Sequence, residues 1–423
     1  MVAAVVFEEE DRTLVRVRAI TRFVVLEPDT QTWNWSLGEA GRLLSELSAA
    51  YRGLGYDVQS CRIVTNPFGE FLNCSSAETA LAGLGVLQGC LSELDDGASR
   101  VRCAVGAART AEELALVPAM IAEYGDLCNV CVNVPGDDLG LADAALCDAA
   151  AACVAALAAT TPRGEGNFNF TANFNCGPGI PYFPAAYNLR ENGESFAVGL
   201  EHGGLILKEL RAEDLGAVAA PERSAALRRA FGRVRDAVEA HVAPLVEAAE
   251  AAAAARQVAF AGVDASPAPC RDVSICDLFA ALGVPRVGAA GTVEAAALLA
   301  RMFKSPRGAP LVGFSGLMLS CLEDEGLAAA AGRGQLDIYT LLQCSCVCGI
   351  GLDCVPVPGD CPESDVAALL RDTGALAFRH DKPLTVRLFP CPGLAAGDIA
   401  AFASEDLVDC AVFAVPGRRA LTY

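Results

Sequence analysis

The sequence predicts an α/β protein organised as one body, and three observations carry that expectation. Strand-like and helix-like stretches alternate along almost all of the 423 residues, as in a sheet covered by helices. Hydrophobic residues make up 53% of a chain long enough to bury a large core without disulfide or metal staples, which excludes a disordered chain. No Gly/Ser linker or low-complexity tail divides it, so residues 1–423 are expected to form a single domain.

The elements follow in order. Residues 13–26 alternate through Leu14-Val15-Arg16-Val17-Arg18 and turn continuously apolar at Phe23-Val24-Val25-Leu26, a strand. Leu43, Leu44, Leu47 and Tyr51 give 37–54 helical spacing, and 57–64 returns to alternation. A strand at 101–105, a helix at 110–124, a strand at 128–134 and an Ala-rich helix at 140–160 continue the rhythm. Asn167 to Gly179 reads as a turn-rich stretch leading into a loop around Pro181 and Pro184. Residues 195–200 form a strand and 203–211 begin a helix. A long helix or helical hairpin spans 221–256, broken or kinked near Pro244. In the second half, the strand 258–264 ends at Asp264, and Thr292 opens a helix to Phe303 with Glu294 in its first turn. Strands near 310–314 and 345–355 come next, then a helix and two strands after Ser364.

Charge narrows the function classes. Lys and Arg total 32 against 52 Asp and Glu, a net charge of −20, which opposes a nucleic-acid face or an anionic membrane surface. The start runs from Met1 through Phe7 straight into Glu8-Glu9-Glu10-Asp11, without the basic and long apolar regions of a signal peptide. No stretch reads as a membrane span, so the expected location is cytoplasmic and reducing. Most of the nineteen cysteines are then free, buried thiols. Cys344, Cys346 and Cys348 would share one strand face and could hold a soft metal, but their spacing is not that of a zinc or iron–sulfur site. Cys128 and Cys131 have knuckle spacing without a second knuckle. With three scattered histidines, no metal site is expected.

Candidate chemistry gathers at predicted strand ends. Asp264 closes an apolar strand, where α/β folds collect ligand-binding groups, although capping the next turn is an equal use. Gly313-Phe314-Ser315-Gly316 and Glu323-Asp324-Glu325-Gly326 are two further loops. The acids could serve in proton transfer or bind a hard cation, or form a solvated run before a helix. Gly203 and Gly204 after His202 open onto a helix, a geometry suited to an anion but also to a plain helix entry. No Gly-x-Ser-x-Gly elbow is present.

Several segments in order and spacing resemble the domain-of-unknown-function 711 family, best over residues 258–390. They are Val263-Asp264 with Ser266 and Ala268-Pro269, Gly291-Thr292, Gly313 to Gly316, Glu323 to Gly326, Cys348 to Asp353, and Val357 to Pro362. Weaker echoes are Arg18-Ala19-Ile20-Thr21 and Asn169 to Asn173. The resemblance implies a single pyruvate formate-lyase-like α/β barrel of about ten strands surrounded by helices. It does not imply radical chemistry, because no Arg-Val-x-Gly-Tyr type loop occurs and Val415-Pro416-Gly417-Arg418-Arg419 is no substitute. The chain departs from the family pattern at Glu201-His202-Gly203-Gly204 and at Val134 to Asp138, where acids replace small residues and would repel an anion.

The expected function is a divergent barrel protein lacking the radical glycine that binds a small molecule at the barrel mouth, its reaction and cofactor unnamed. Cys348 would be nucleophile or soft ligand, with Asp264, Asp353, Glu323 and Asp324 as acid/base groups or cation ligands. Ser315 would donate a hydrogen bond, and Gly203 and Gly204 would contact ligand. The rival is a catalytically silent structural or assembly subunit with protein partners or self-association. A metal or redox protein built on Cys344, Cys346 and Cys348 is the third reading.

Overall fold

The structure, a computed structural model, describes residues 9–94, 101–267 and 273–417. Ala268-Pro269, Cys270, Arg418-Arg419 and the segment Met1 to Glu8 lie outside the described residues.

Five strands, β1 (Arg16–Phe23), β2 (Cys61–Val64), β3 (Val101–Ala108), β4 (Asn129–Val134) and β5 (Phe170–Phe174), lie side by side and parallel. Next in the chain come β6 (Ser195–Glu201), β7 (Ala259–Asp264), β8 (Gly351–Pro358) and β9 (Leu384–Cys391). β6 adds antiparallel to β1 and β7 parallel to β6. On the other side β9 adds antiparallel to β5 and β8 parallel to β9. The nine-stranded order is β7-β6-β1-β2-β3-β4-β5-β9-β8. One sheet therefore holds a central block running one way and two flanking pairs running the other.

The helices are α1 (Trp33–Gly53), α2 (Ala77–Ser92), α3 (Ala111–Tyr124), α4 (Ala144–Thr160), α5 (Gly203–Arg211) and α6 (Ala220–Arg256). They continue with α7 (Ile275–Ala281), α8 (Thr292–Phe303), α9 (Glu325–Gly332), α10 (Ile338–Ser345) and α11 (Glu363–Arg379). Local chemistry sets their starts. Thr110, Asp143, Asp324 and Asp337 each accept a bond from a first-turn N–H, and Ser76 forms a capping box with Thr79. None of the described helices is long and apolar enough to cross a membrane.

Strand alternation separates two environments. Cys61 and Ile63 of β2, and Cys103 and Val105 of β3, join the helices in the main core. Val64, Ala104 and Phe23 face the other way, into a smaller cluster with Ala186 and Ala197. The segment 176–189 covers that second face, through Tyr182 and Ala185 in one cluster and Tyr187 against Cys131 in another.

The expected closed barrel is not found: no strand ladder joins β7 to β8, and the sheet is open. Residues 310–321 nonetheless touch both edges. Val263 N–H donates to Pro310 O at 2.9 Å and Val312 N–H to Val263 O at 3.1 Å, while Cys321 N–H donates to Asp353 O at 3.2 Å. These contacts are isolated parallel bridges, so the strand expected near 310–314 is a single bridge at Leu311.

Other expectations also shift. Phe170 to Phe174, read as turn-rich, is a fully buried strand: Phe170, Thr171 and Phe174 favour a strand, and ladders to β4 and β9 override the Asn173 signal. The strand expected over 345–355 begins only at Gly351, since Asp337 caps a helix that runs to Ser345. Cys344, Cys346 and Cys348 thus lie at a helix end and the following turn, and the single strand face predicted for them does not exist. α6 passes through Pro244 as one helix of 37 residues.

Candidate functional site

The second face of the sheet carries charged side chains in strands that are otherwise apolar. Arg18 comes from β1, Arg62 from β2, Asp353 from β8 and Arg387 from β9, and Glu323 follows the bridging segment. All five line one cavity with about 50 Å³ of internal space, room for roughly four water-sized groups. Its apolar wall includes Tyr182, Phe314, Met318 and Ile350.

One side of the cavity is an ion cluster. Arg387 Nε donates to Asp353 Oδ1 at 2.7 Å, and its second terminal nitrogen donates to Glu323 Oε2 at 2.6 Å. Ser320 Oγ donates to that same Oε2 at 2.7 Å, and the Cys354 thiol approaches it at 3.4 Å. Arg387 also stacks over the Phe168 ring at 4.9 Å. Burial raises the Glu323 carboxyl, but the Arg387 charge and the Ser320 bond outweigh it and hold the group below the usual range. Burial, with the Glu323 charge, lifts Asp353 above it. Two carboxylates of unequal acidity share one guanidinium. Every hydrogen bond to Glu323 ends on Oε2, which leaves Oε1 without a partner among the described residues.

In the same cavity, Arg62 is buried with no carboxylate in contact among the described residues, although the Glu323 charge is near enough to favour its charged form. Its Nε donates to Ser60 Oγ at 3.1 Å, one terminal nitrogen reaches Pro181 O at 3.5 Å, and its plane lies 4.9 Å from the Phe183 ring centre. No carboxylate lies within 4.0 Å of it among the described residues. Burial, then repulsion from Arg18 and Arg102, lowers its pKa to about 9. The register places Arg102 directly beside it, and Arg102 is engaged by Asp406 at 2.8 Å. Arg18 sits 3.5 Å from Glu201 and is the most exposed of the three arginines lining the cavity.

The predicted site residues do not form one constellation. Glu323 and Asp353 meet, as above. Asp264 and Ser315 meet elsewhere: Asp264 accepts from Ser266 N–H and Oγ, Phe314 N–H and Ser315 N–H at 2.6–3.0 Å. Burial raises its carboxyl to about 6. It tethers the 313–316 turn to the end of β7, and Ser315 Oγ donates to Val312 O at 2.8 Å and caps Ala265 N–H. Asp324 caps α9 and accepts from Ser274 Oγ and Ile275 N–H, tying α9 to α7. Cys348 is buried in the main core, and its carbonyl accepts from Lys382. Gly203 and Gly204 line a different recess with Arg16 and Glu201. Glu201, expected to repel an anion, lies between Arg16 at 3.2 Å and Arg18. Asp137 braces its own loop through Leu139 N–H and Leu141 N–H.

Sequence reasoning missed Arg18, Arg62 and Arg387. For Arg62 and Arg387 the signal was present: a single arginine inside a largely apolar strand, which either reaches water or faces a polar interior; Arg18 shares β1 with Arg16 and Arg22 and gave no such signal. Glu323, Asp353 and Cys354 also bring three potential metal ligands within 4.8 Å. Arg387 already engages one oxygen of each carboxylate, and burial pushes the Cys354 thiol far up, so the donor set suits a guanidinium better than a metal ion.

Among curated proteins, the chain is similar to several called UPF0210 protein. One from Pyrobaculum arsenaticum is 41% identical over 146 residues, which is 33% of this chain and 33% of the relative. One from Pelobacter propionicus is 36% identical over 140 residues, 32% of this chain and 31% of the relative. One from Clostridium botulinum (strain Alaska E43 / Type E3) is 35% identical over 152 residues, 34% and 33% respectively. Each match thus spans about a third of the relative's length. The family model described as Uncharacterised ACR matches residues 10–405, so the chain belongs to that family, DUF711.

Proposed function

We propose that the chain binds a small organic anion in the cavity above the second face of the sheet. The observation that carries this reading is Arg62, a buried guanidinium with no carboxylate partner among the described residues, which lines the cavity of about 50 Å³. An unpaired buried cation is costly, and an anionic group entering the cavity would offset that cost. The stacked Phe183 ring and Pro181 O hold the guanidinium in place, the preorganisation expected of a binding group.

In the same proposal the architecture is a barrel in the pyruvate formate-lyase-like sense. Two blocks of parallel strands run in opposite directions, and residues 310–321 take the place of a tenth strand between β7 and β8. The cavity then occupies the enclosed interior. A reaction is not part of the proposal.

Calorimetric titration of the full chain with acetate, propionate, glycolate and phosphate tests it. Saturable binding of at least one of these, lost in Arg62→Met, is the expected result. Absence of binding across the whole panel, or undiminished binding to the Arg62→Met protein, would sink the reading.

A further inference from the structure

Resting on that reading, we infer that the ligand is zwitterionic: a small α-amino acid whose carboxylate meets Arg62 and whose ammonium meets Glu323. The cavity contains two charge surpluses of opposite sign. Arg62 is a cation without a carboxylate within 4.0 Å among the described residues. Across the cavity, Glu323 and Asp353 share the single guanidinium of Arg387. Arg62 lies on β2 and Asp353 on β8, with β3, β4, β5 and β9 between them in the sheet, while Glu323 follows the segment bridged to β8; all three line the same cavity.

The acceptor is specific to one atom. Ser320, Cys354 and Arg387 all engage Glu323 Oε2, and Oε1 keeps its lone pairs free among the described residues. A simple carboxylic acid would satisfy Arg62 and leave this oxygen unpaired. An amine alone would do the reverse. An amino acid answers both in one binding event, with charge-assisted hydrogen bonds at each end. Nearby hydroxyls offer little competition, because Thr171, Tyr182 and Thr385 each donate to a backbone carbonyl.

Size restricts the class further. About 50 Å³ of internal space accommodates a few heavy atoms. Glycine, with five heavy atoms, comes nearest that limit, and a large aliphatic or aromatic side chain exceeds it. Phe314, Met318 and Ile350 form an apolar wall whose side chains offer no partner to a long polar side chain.

The test is calorimetric titration of the full chain at pH 7.5 with glycine, L-alanine, L-serine, glycolate, acetate, methylamine and L-phenylalanine. The expected result is that a small amino acid binds at least about tenfold more tightly than the matching hydroxy acid, carboxylate or amine, the discrimination a charged hydrogen bond supplies. Phenylalanine is expected not to bind. Glu323→Gln should erase the preference for glycine over glycolate while glycolate still binds. Because the unmodified protein and its ligand panel decide the matter, a folding defect in a variant does not cloud the outcome. Equal affinity for glycine and glycolate overturns the zwitterion assignment and leaves the anion reading standing. Binding of methylamine alone, or of no compound in the panel, overturns the zwitterion assignment, and the anion reading falls with it when propionate and phosphate also fail to bind.

Discussion

Arg387 and Asp353, on neighbouring strands β9 and β8, meet through Nε and Oδ1 at 2.7 Å inside a cavity wall that also contains Glu323. The contact holds two buried carboxylates together in a space where their repulsion would otherwise dominate. Replacing Arg387 with Met should therefore destabilise the protein by about 3–5 kcal/mol, the cost of leaving a buried charge uncompensated. Guanidinium unfolding at pH 7 measures it, and a loss below about 1 kcal/mol would contradict the assigned role. Addition of zinc to the unmodified protein should give no stoichiometric uptake, because both carboxylates are already engaged by Arg387.

Arg62 gives the opposite expectation. Its charge is buried without a carboxylate partner, so Arg62→Met should leave the ligand-free protein as stable or more stable, by on the order of 1 kcal/mol, while abolishing anion binding. Thermal unfolding with and without ligand reads both effects. A variant that unfolds earlier and still binds would show Arg62 to be a packing residue.

Asp264 predicts a pH dependence. Its folded-state value is raised from 3.8 to about 6, so the folded protein binds a proton more readily than the unfolded chain between those values. Its contribution is most favourable below pH 4 and declines as pH rises to 6, by up to about 3 kcal/mol at 1.4 kcal/mol per pKa unit. The stability difference between the unmodified protein and Asp264→Asn, followed by denaturant unfolding, should shift against the unmodified protein across that window. A flat difference from pH 4 to 6 would refute it.

Gly316 and Gly349 pack backbone to backbone. A Cβ on Gly316 would lie 2.8 Å from Gly349 Cα, and one on Gly349 would lie 2.9 Å from Gly316 Cα. Neither neighbour is a flexible side chain that can swing away. Gly316→Ala should lower stability by about 1–3 kcal/mol and weaken ligand binding, since the adjacent Phe314 and Ile350 line the cavity. An alanine variant with unchanged melting temperature and affinity would rule this out.

Thiol accessibility supplies a fifth expectation. Cys74, Cys276, Cys346 and Cys361 are half-buried, and the other fourteen described cysteines are buried. Burial raises Cys361 to about 11 and Cys276 to about 12, which suppresses the reactive thiolate at neutral pH. A disulfide reagent should leave those fourteen unmodified until guanidinium is added, when nineteen thiols titrate. Rapid native labelling of Cys348 or Cys354 would show the core to be open.

Much of the α/β rhythm was legible because amphipathic spacing and helix caps are local signals. The chain pattern around Leu43 to Tyr51 and the Thr110 and Asp143 starts carry their own structure. Phe170 to Phe174 was not legible, because its strand character comes from partners far along the chain. The triple-cysteine segment misled in the other direction: alternation of Cys344, Cys346 and Cys348 mimics a strand, while Asp337 seven residues upstream had already committed the backbone to a helix. The site was half legible. Glu323 and Asp353 stand out as acids in Gly- and Cys-rich surroundings. Arg62 and Arg387 look like ordinary outward strand positions until the second face of the sheet is known to be covered by 176–189.

Residues 310–321 have a consequence for the protein in bulk solution. The outermost strands of a sheet offer unsatisfied amide and carbonyl groups to any passing chain, a standing invitation to stack. Here one short stretch answers both margins, by pairing with Val263 on β7 and Asp353 on β8. Cutting the polypeptide between Pro310 and Cys321 would bare two margins at once. Nicked protein should then precipitate or grow filaments more readily than the intact chain, which light scattering would follow, making this stretch a guard of colloidal behaviour.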